Sequence, residues 1–314
     1  MIVVVGAGIT GLAVGLELER RGAEFVVLEA AGEPGGVMRS AEVDGRVLDW
    51  GPQRLRLGAG VERLVDRLGL REELVFAPDG LPLQVYTRGR LHAVPRSLGA
   101  LLSSNIVGWR AKLRLLMEPL TAGPDPDERV AGYFRRKLGN EVYETIVAPL
   151  YGGLYASDPA DMQVGLSLIH VLRELGVGRS LAPAVLRRGG RVSPPAACTF
   201  RRGVQTLPRA MAEALGDRVR LEHPVTQLRR AGHGWTVRAA ADRFEADQVI
   251  LTTPAPVTAR LLRGPAPTAA SAIGRLRYND LGVVHVDAET GLRGLGFQVA
   301  FTEKRALRGV TFLD

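Results

Sequence analysis

The chain opens with MIVVVGAGITGLAVGLELERRGAEFVVLEAAGEPGG, residues 1–36. A β-branched run at Ile2–Val5 is typical of a buried parallel strand. Three glycines follow in GxGxxG spacing, and they open a helical pattern that we expect to extend from about Ile9 to Arg21. A second apolar strand is expected at Phe25–Leu28, and it is closed by Glu29. This order predicts the first βαβ unit of a Rossmann-like α/β sheet.

The three glycines of this motif meet three different steric needs. Gly6 permits the tight turn after the strand, Gly8 lets backbone approach a pyrophosphate, and Gly11 allows the helix to lie close to the strand. The helix start, at Ile9 and Thr10, offers free N–H groups and a positive dipole end to phosphates. A dinucleotide site is therefore predicted where the first strand ends.

Glu29 indicates which kind of dinucleotide fits. A carboxylate about 20 residues after the glycine motif accepts hydrogen bonds from ribose hydroxyls. The same negative charge repels a 2′-phosphate, which disfavours NADP. We expect Glu29, with Ala30 beside it, to lie at the ribose. A purely structural βαβ unit is the alternative.

A second glycine pair distinguishes between the two remaining dinucleotides, NAD and FAD. Gly35 and Gly36 bring backbone close to a ligand, and Arg39 follows where it can meet a phosphate. Such a loop, placed directly after the strand that ends in Glu29, is typical of FAD proteins. The pattern GxGxxG–Glu–GGxxRS resembles the flavin monoamine oxidase and protoporphyrinogen oxidase superfamily, which implies FAD as the cofactor.

Further motifs narrow the resemblance to the protoporphyrinogen oxidase family, including its coproporphyrinogen-oxidising branch. They occur in that family's order and spacing, and the likeness covers essentially the whole chain. These motifs are Asp49–Pro52 with Arg54 and Arg56, Arg90–Pro95, Pro149–Ala156, and Arg202-Gly203 with Leu207-Pro208. The resemblance implies oxidation of a porphyrinogen by FAD, with molecular oxygen regenerating the oxidised flavin.

The pattern of elements and the resemblance together predict the domain organisation. We expect a Rossmann-like FAD-binding domain at 1–80 and 196–265, interrupted by an inserted, mainly helical domain at 81–195. Residues 266–314 should begin a substrate-binding sheet, with strands at Leu281–Val286 and Val310–Leu313. An Arg-, Gly- and Pro-rich loop is expected at Ala184–Pro195.

By the resemblance, specific residues are expected to bind cofactor and substrate. The cofactor residues are Gly6, Gly8, Ile9, Thr10, Gly11, Glu29, Ala30, Gly35, Gly36, Arg39, Gly51, Pro52, Gln53, Val225 and Thr253. The substrate residues are Arg54, Arg56, Arg90, Gly153 and Tyr155. Arginines suit the carboxylates of a porphyrinogen, although solvated surface arginines and a plain core tyrosine are the alternatives. No catalytic side chain and no metal ligand set is expected, because the flavin carries the chemistry.

Four other functions are compatible with parts of the sequence. An amine oxidase usually has a lysine near the flavin, and Tyr278–Phe297 contains none. A carotenoid-type desaturase has less use for arginines at 54–90. An incomplete flavoprotein that binds ligand without turnover stays open. An NAD-dependent dehydrogenase is disfavoured by the loop at Gly35–Arg39.

Composition limits the partners. The 314 residues carry a net charge of +8, which favours an anionic ligand, here a tetrapyrrole, or a membrane surface. Aromatic residues make up 5% and are not interleaved with basic blocks, so nucleic acid is disfavoured. The single cysteine, Cys198, excludes an internal disulfide and favours a cytoplasmic chain.

The segment Trp109–Leu120 mixes basic and apolar residues, and either a peripheral membrane contact or a half-buried domain helix would explain it.

The sequence stops at Asp314 after an apolar strand, whereas family members continue with more of the sheet and a closing helix. We therefore expect weaker FAD retention and a tendency to form homo-oligomers through exposed strand edges.

Overall fold

The computed structural model describes residues 1–78, 80–187 and 197–313. The described residues fall into two compact units. The first unit lies within Met1–Phe76 and Pro195–Val286, and the second within Ala77–Pro194 and Asp287–Asp314. Both units are therefore discontinuous in sequence.

The strands are short and are distributed along most of the chain. In chain order they are β1 (Ile2–Val5), β2 (Phe25–Leu28), β3 (Ser40–Val43), β4 (Arg46–Asp49), β5 (Leu55–Arg56), β6 (Leu74–Phe76), β7 (Leu83–Thr87), β8 (Arg90–Ala93), β9 (Ala197–Phe200), β10 (Val219–Arg220), β11 (Val225–Ala231), β12 (Gly234–Ala239), β13 (Asp242–Ala246), β14 (Gln248–Leu251), β15 (Gly296–Val299) and β16 (Gly309–Thr311).

The helices are concentrated between residues 98 and 187. In chain order they are α1 (Ile9–Arg20), α2 (Ala59–Arg67), α3 (Leu98–Ser103), α4 (Trp109–Leu115), α5 (Val130–Leu138), α6 (Asn140–Val142), α7 (Ala148–Tyr155), α8 (Val164–Ser167), α9 (Ile169–Glu174), α10 (Ala182–Arg187), α11 (Thr206–Leu215), α12 (Ala255–Leu262) and α13 (Pro267–Ile273). A π-helical turn at Tyr143–Val147 joins α6 to α7.

A parallel sheet of order β10-β2-β1-β14 forms the centre of the first unit. In its register Val5 lies opposite Leu28 on one side and Leu251 on the other. Every residue of β2 is buried, as expected for a parallel strand that is covered on both faces. The predicted Rossmann-like α/β fold is confirmed.

Alternate residues of β1 point into different layers of the first unit. Val4 packs with α1 and α11 in one apolar cluster, which includes Leu12 and Met211. Val3 and Val5 pack on the other side, against the antiparallel sheet β11-β12-β13. This three-layer arrangement holds the carboxyl end of β1 in place.

Smaller sheets complete the first unit. Strands β3 and β4 form the hairpin that follows the second glycine pair, and β5, β9 and β6 form an antiparallel sheet. Cys198 lies in β9 opposite Leu55 and is buried, so its free thiol belongs to the core. Burial raises the pKa of this thiol, as expected for a structural cysteine.

The second unit is helical with a four-stranded sheet of order β16-β15-β7-β8. Tyr133, Leu168 and Leu172 lie at the centre of its helical core. Strand β15 pairs in parallel with β7, and this pairing joins the last part of the chain to the inserted segment. The division therefore differs from the predicted one, because residues 266–286 group with the first unit and residues 287–313 with the second.

Several local predictions were wrong. No strand forms at Leu281–Val286, where the backbone has no partner strand among the described residues. Within the predicted loop Ala184–Pro195, Ala184 lies in helix α10, and residues 188–196 lie outside the described part of the chain. The single helix suggested at Trp109–Leu120 ends at Leu115, and a 3-10 turn with Pro119 follows, since proline lacks the N–H that a helix interior needs.

A buried ion pair lies inside the second unit. The Lys137 ammonium lies 3.0 Å from a Glu118 oxygen, and both side chains are buried. Glu118 also accepts hydrogen bonds from the Ser180 hydroxyl and, at 2.9 Å, from the Leu181 backbone N–H. Charges at this depth are stable only with such a full set of partners.

Candidate functional site

The glycine motif forms the turn that its spacing predicts. Gly6 has φ +104°, a left-handed conformation that favours glycine. A Cβ on Gly11 would stand 1.9 Å from the Gly6 carbonyl oxygen, so only glycine lets α1 pass this closely. The Thr252 hydroxyl holds the same turn by donating to the Val5 carbonyl at 2.8 Å. The turn is therefore fixed by backbone geometry and by the end of β14.

Gly8 differs from the other two glycines. A Cβ at Gly8 would meet nothing within 4 Å, so the space in front of it is open. The Gly8 carbonyl accepts the first helical hydrogen bond, from Leu12 at 3.0 Å. The N–H groups of Ile9, Thr10 and Gly11 consequently have no acceptor inside the helix. A free first turn beside open space is the arrangement that an anionic pyrophosphate needs.

Glu29 lies at the end of β2, beside this turn. One of its carboxylate oxygens accepts from the Ala7 backbone N–H at 2.7 Å, and the other accepts from Ala31 at 2.9 Å. These bonds fix the direction of the half-buried carboxylate. Each oxygen keeps a further lone pair for a ribose hydroxyl. Neighbouring Ala30 is exposed.

Two later segments of the chain, the start of β11 and the residues after β14, also carry predicted cofactor residues. The His223 backbone N–H donates to the Glu29 carbonyl at 2.7 Å, and β11 begins two residues later at Val225. A bulge follows Val225 in that strand. Thr253 follows Thr252 at the end of β14, and its hydroxyl lies 2.8 Å from that of Thr258 in α12.

The second glycine pair lies against the first motif. Gly35 pairs with Gly8 in a parallel bridge, and its N–H donates to the Ala7 carbonyl at 2.9 Å. Both Gly35 and Gly36 have positive φ, and a Cβ on Gly36 would stand 3.4 Å from the Gly8 Cα. The first and second glycine segments, which are separate in sequence, therefore form one continuous backbone surface.

A polar network that the sequence did not predict anchors this loop. The Asp49 carboxylate accepts from the Ser40 hydroxyl at 2.6 Å and from the Val204 backbone N–H at 3.0 Å. The Gln205 amide oxygen accepts from the Ser40 backbone N–H at 2.9 Å, and the Gln205 side chain is fully buried. The sequence signals near this network were the Asp49–Pro52 and Arg202-Gly203 motifs, and Gly203 has φ +81° at this contact.

Arg39 lies in an ion-pair cluster. Its guanidinium binds a Glu33 oxygen at 2.7 Å, and Arg209 binds the other Glu33 oxygen at 3.1 Å. The Gln205 amide N–H donates to Glu33 as well, at 2.9 Å. The Arg39 guanidinium, followed by Gln205 and Arg209, holds the pKa of the Glu33 carboxyl below its usual range.

The segment after β4 brings a cation into a partly buried position. A Cβ on Gly51 would stand 1.9 Å from the Val37 carbonyl, so Gly51 lies directly on the second glycine loop. Pro52 is exposed and Gln53 is half-buried. Arg54 is half-buried too, and neither a hydrogen bond nor an ion pair to it occurs among the described residues. Burial, and then the charge of Arg56, lower the pKa of Arg54.

The remaining predicted substrate residues lie in the second unit. Arg90 is exposed at the start of β8. Gly153 lies in α7, and a Cβ there would stand 2.1 Å from the Gln298 side-chain oxygen, so close packing accounts for this glycine. The Tyr155 ring lies 4.8 Å from that of Tyr151. Arg54 and Arg56 belong to the first unit, so the predicted substrate residues are divided between the two units.

Residues 9–312 match the family of flavin containing amine oxidoreductases, and the chain belongs to that family. It is therefore an oxidoreductase family member with a flavin cofactor, and the expected FAD is confirmed. The residues around Gly8 and Glu29 fit the adenine dinucleotide half, because open space, free N–H groups and a ribose acceptor lie together.

Within this family the chain is similar to protoporphyrinogen oxidases. It is 28% identical to the chloroplastic protoporphyrinogen oxidase 1 of Spinacia oleracea, over 90% of this chain and 55% of that protein. It is 29% identical to the protoporphyrinogen oxidase of Homo sapiens, over 99% of this chain and 72% of that protein. The chain thus spans little more than half the length of the plant relative. The predicted resemblance is confirmed.

Solved structures support the fold. A crystal structure from Exiguobacterium sp. 255-15, of a protein provisionally assigned as a protoporphyrinogen oxidase, superposes with a TM-score of 0.76 at 22% identity. The superposition covers 99% of this chain and 72% of the Exiguobacterium chain. Cyclohexylamine oxidase from Brevibacterium oxydans superposes with a TM-score of 0.64 at 18% identity, covering 87% of this chain and 62% of that chain.

Within residues 1–78, 80–187 and 197–313, no helix has both the length and the hydropathy to span a bilayer. In the same part of the chain, no cluster of histidine, cysteine and carboxylate side chains has the size and spacing to bind a metal ion.

Proposed function

We propose that this chain carries out, or forms the cofactor-binding part of, an FAD-dependent oxidation of a porphyrinogen to a porphyrin. The substrate is protoporphyrinogen IX or coproporphyrinogen III, and molecular oxygen is the final acceptor. The family membership and the similarity to protoporphyrinogen oxidases support this activity. The observation on the chain itself that carries it is Arg54, a half-buried cation without a carboxylate partner among the described residues.

The proposed cofactor contacts follow the arrangement of the first unit. The free first turn of α1, at Ile9 and Thr10, binds the pyrophosphate together with the backbone of Gly8 and Gly36 and the guanidinium of Arg39. Glu29 accepts the ribose hydroxyls, and Val225 and Ala30 lie toward the adenine end. Gly51, Pro52, Gln53 and Thr253 lie along the flavin half. Close backbone approach is the shared reason for glycine at these positions.

Arg54 is proposed to bind a carboxylate of the substrate. A buried cation is costly without an anion, and a carboxylate can take two parallel hydrogen bonds from one guanidinium. Arg56 and Arg90 are proposed to interact with further carboxylates of the substrate. Because both are exposed, we expect them to contribute less than Arg54. Gly153 and Tyr155 are proposed to lie along the macrocycle.

The chemistry balances without a catalytic side chain. When bound, the flavin supplies a two-electron acceptor for a hydride from the macrocycle. Three such rounds remove six electrons and six protons from the porphyrinogen, and three molecules of oxygen become hydrogen peroxide. The residues of the chain position the two reactants, and the backbone surface of Gly8, Gly35 and Gly51 keeps that end of the site rigid.

Aerobic turnover tests this proposal. Purified chain loaded with FAD should convert coproporphyrinogen III or protoporphyrinogen IX to fluorescent porphyrin, consuming about three oxygens per porphyrin. Comparison of the two substrates identifies the preferred one. Porphyrin formation no faster than in buffer, from a chain that retains FAD, would contradict the proposal and would favour a flavoprotein that binds ligand without turnover.

Amine oxidation, which the family's description names, is a second candidate activity. A panel of primary amines and diamines under the same conditions provides the direct comparison. We expect no peroxide from it, because Tyr278–Phe297 contains no lysine to lie beside the flavin.

A further inference from the structure

The Glu33 carboxylate lies in the loop that leads into the second glycine pair. It binds two arginines at once, Arg39 at 2.7 Å and Arg209 at 3.1 Å. The buried Gln205 amide holds the same carboxylate at 2.9 Å and also donates to the Pro34 carbonyl at 3.1 Å. Glu33 is therefore a fixed anion in this loop, held by three separate side chains.

In sequence, the Glu33 carboxylate lies close to the glycine backbone that is proposed to bind the pyrophosphate. Glu33 is separated by one residue from Gly35, which pairs with Gly8 in front of the free helix turn. A pyrophosphate bound there would add negative charge beside a carboxylate. It would also compete for the same arginines, because phosphate and carboxylate accept the same paired N–H groups.

We propose that Glu33 limits the affinity of this chain for its dinucleotide cofactor by competing with the phosphates for Arg39 and Arg209. The inference rests on the proposed placement of the pyrophosphate and concerns cofactor binding alone. Glu33 is thus a positioning residue that sets how readily the cofactor exchanges. The two arginine side chains are about half exposed and that of Glu33 about one third, so the competition is screened by salt.

The test is a titration of each purified chain with FAD, followed by quenching of the flavin fluorescence. We expect Glu33→Gln to bind FAD about two- to fivefold more tightly than the native chain, the range of a half-exposed charge pair. The gain should vanish at about 0.5 M salt, where the Debye length is only a few ångströms. Glu62→Gln is the matched control, since it removes another exposed carboxylate of the first unit that pairs with an arginine.

A double variant separates competition from a general charge effect. In an Arg39→Gln background, Glu33→Gln should give little or no gain if Glu33 acts through Arg39. Glu33→Ala serves as a second variant, and unfolding midpoints measured without FAD show whether each variant folds. Weaker or unchanged FAD binding by both Glu33 variants would overturn the inference while leaving the proposed oxidation intact. Failure of the native chain and of every variant to bind FAD would overturn both.

Discussion

The Gly11 backbone lies so close to the Gly6 carbonyl that a Cβ on Gly11 would stand 1.9 Å from that oxygen, whereas a Cβ on Gly8 would meet nothing within 4 Å. Two glycines of one motif therefore have different functions. Gly11 allows the close packing of α1 on the turn after β1. Gly8 has φ −69°, which any residue adopts, so backbone strain does not explain its glycine, and we propose that it lets a ligand approach.

The contrast predicts opposite phenotypes for the same substitution. Gly11→Ala should destabilise the first unit by about 1–3 kcal/mol or more, because α1 must move away from β1. Gly8→Ala should leave the unfolding midpoint nearly unchanged and lower FAD affinity by roughly tenfold or more, because the methyl group occupies the open space. Thermal unfolding and FAD titration of both variants measure this. A Gly8→Ala chain that binds FAD normally would show that the pyrophosphate lies elsewhere.

Arg54→Gln should raise the KM for a porphyrinogen by roughly tenfold or more. This change corresponds to the free energy of one lost charge-assisted hydrogen bond. FAD affinity should not change, because Arg54 is proposed to bind substrate only. Steady-state kinetics and FAD titration check the two parts. Arg63→Gln, which removes an exposed arginine from α2, is the control and should leave KM as it is. An unaltered KM in the Arg54 variant would remove this residue from the substrate site.

The buried ion pair of the second unit makes a prediction about stability. Lys137→Met should lower the free energy of unfolding by about 3–5 kcal/mol, because it leaves the Glu118 carboxylate buried without its ammonium partner. Replacing both residues, as Lys137→Met with Glu118→Leu, should cost less than the single change. Denaturant unfolding measures both variants. A double variant less stable than the single one would mean that the charges themselves stabilise the unit.

The Glu118 carboxylate leads us to expect that the stability of the folded chain depends on pH. Burial acts to raise the pKa of Glu118, but hydrogen bonds from Ser180, Leu181 and Lys137 outweigh it and hold the pKa below its ordinary value of 4.5. A lowered folded-state pKa contributes stability above the ordinary value, and this contribution is lost as pH falls toward the lowered one.

Unfolding measured across acidic pH should therefore show a steeper loss of stability in the native chain than in Glu118→Gln. Glu144→Gln is a suitable control, because Glu144 is half exposed and only 3.7 Å from its arginine partner. Equal slopes for the native chain and the Glu118 variant would show that Glu118 titrates alike in the folded and unfolded chain.

The first βαβ unit could be predicted because its signals are local. The β-branched run, the glycine spacing and Glu29 all lie within 30 residues, and each has a steric or electrostatic reason that needs no distant partner. The strand expected at Leu281–Val286 does not form, because an apolar alternating pattern becomes a strand only when another strand pairs with it. Sequence pattern does not specify that partner.

The polar contacts of the candidate site could not be predicted for a related reason. Asp49 reaches Val204 across 155 positions, and Gln205 reaches Ser40 across 165. The local sequence does not indicate which distant polar group each of these side chains contacts. Arg39 was expected at a phosphate from the glycine loop alone, whereas its pairing with Glu33 depends on how the loop folds back.

Anaerobic titration of the FAD-loaded chain with a porphyrinogen tests the central claim most directly. The oxidised-flavin absorbance should bleach on addition of coproporphyrinogen III or protoporphyrinogen IX, porphyrin absorbance should rise with it, and admission of oxygen should restore the flavin spectrum. A chain that retains FAD but whose spectrum stays unchanged with both substrates would contradict the proposed oxidation.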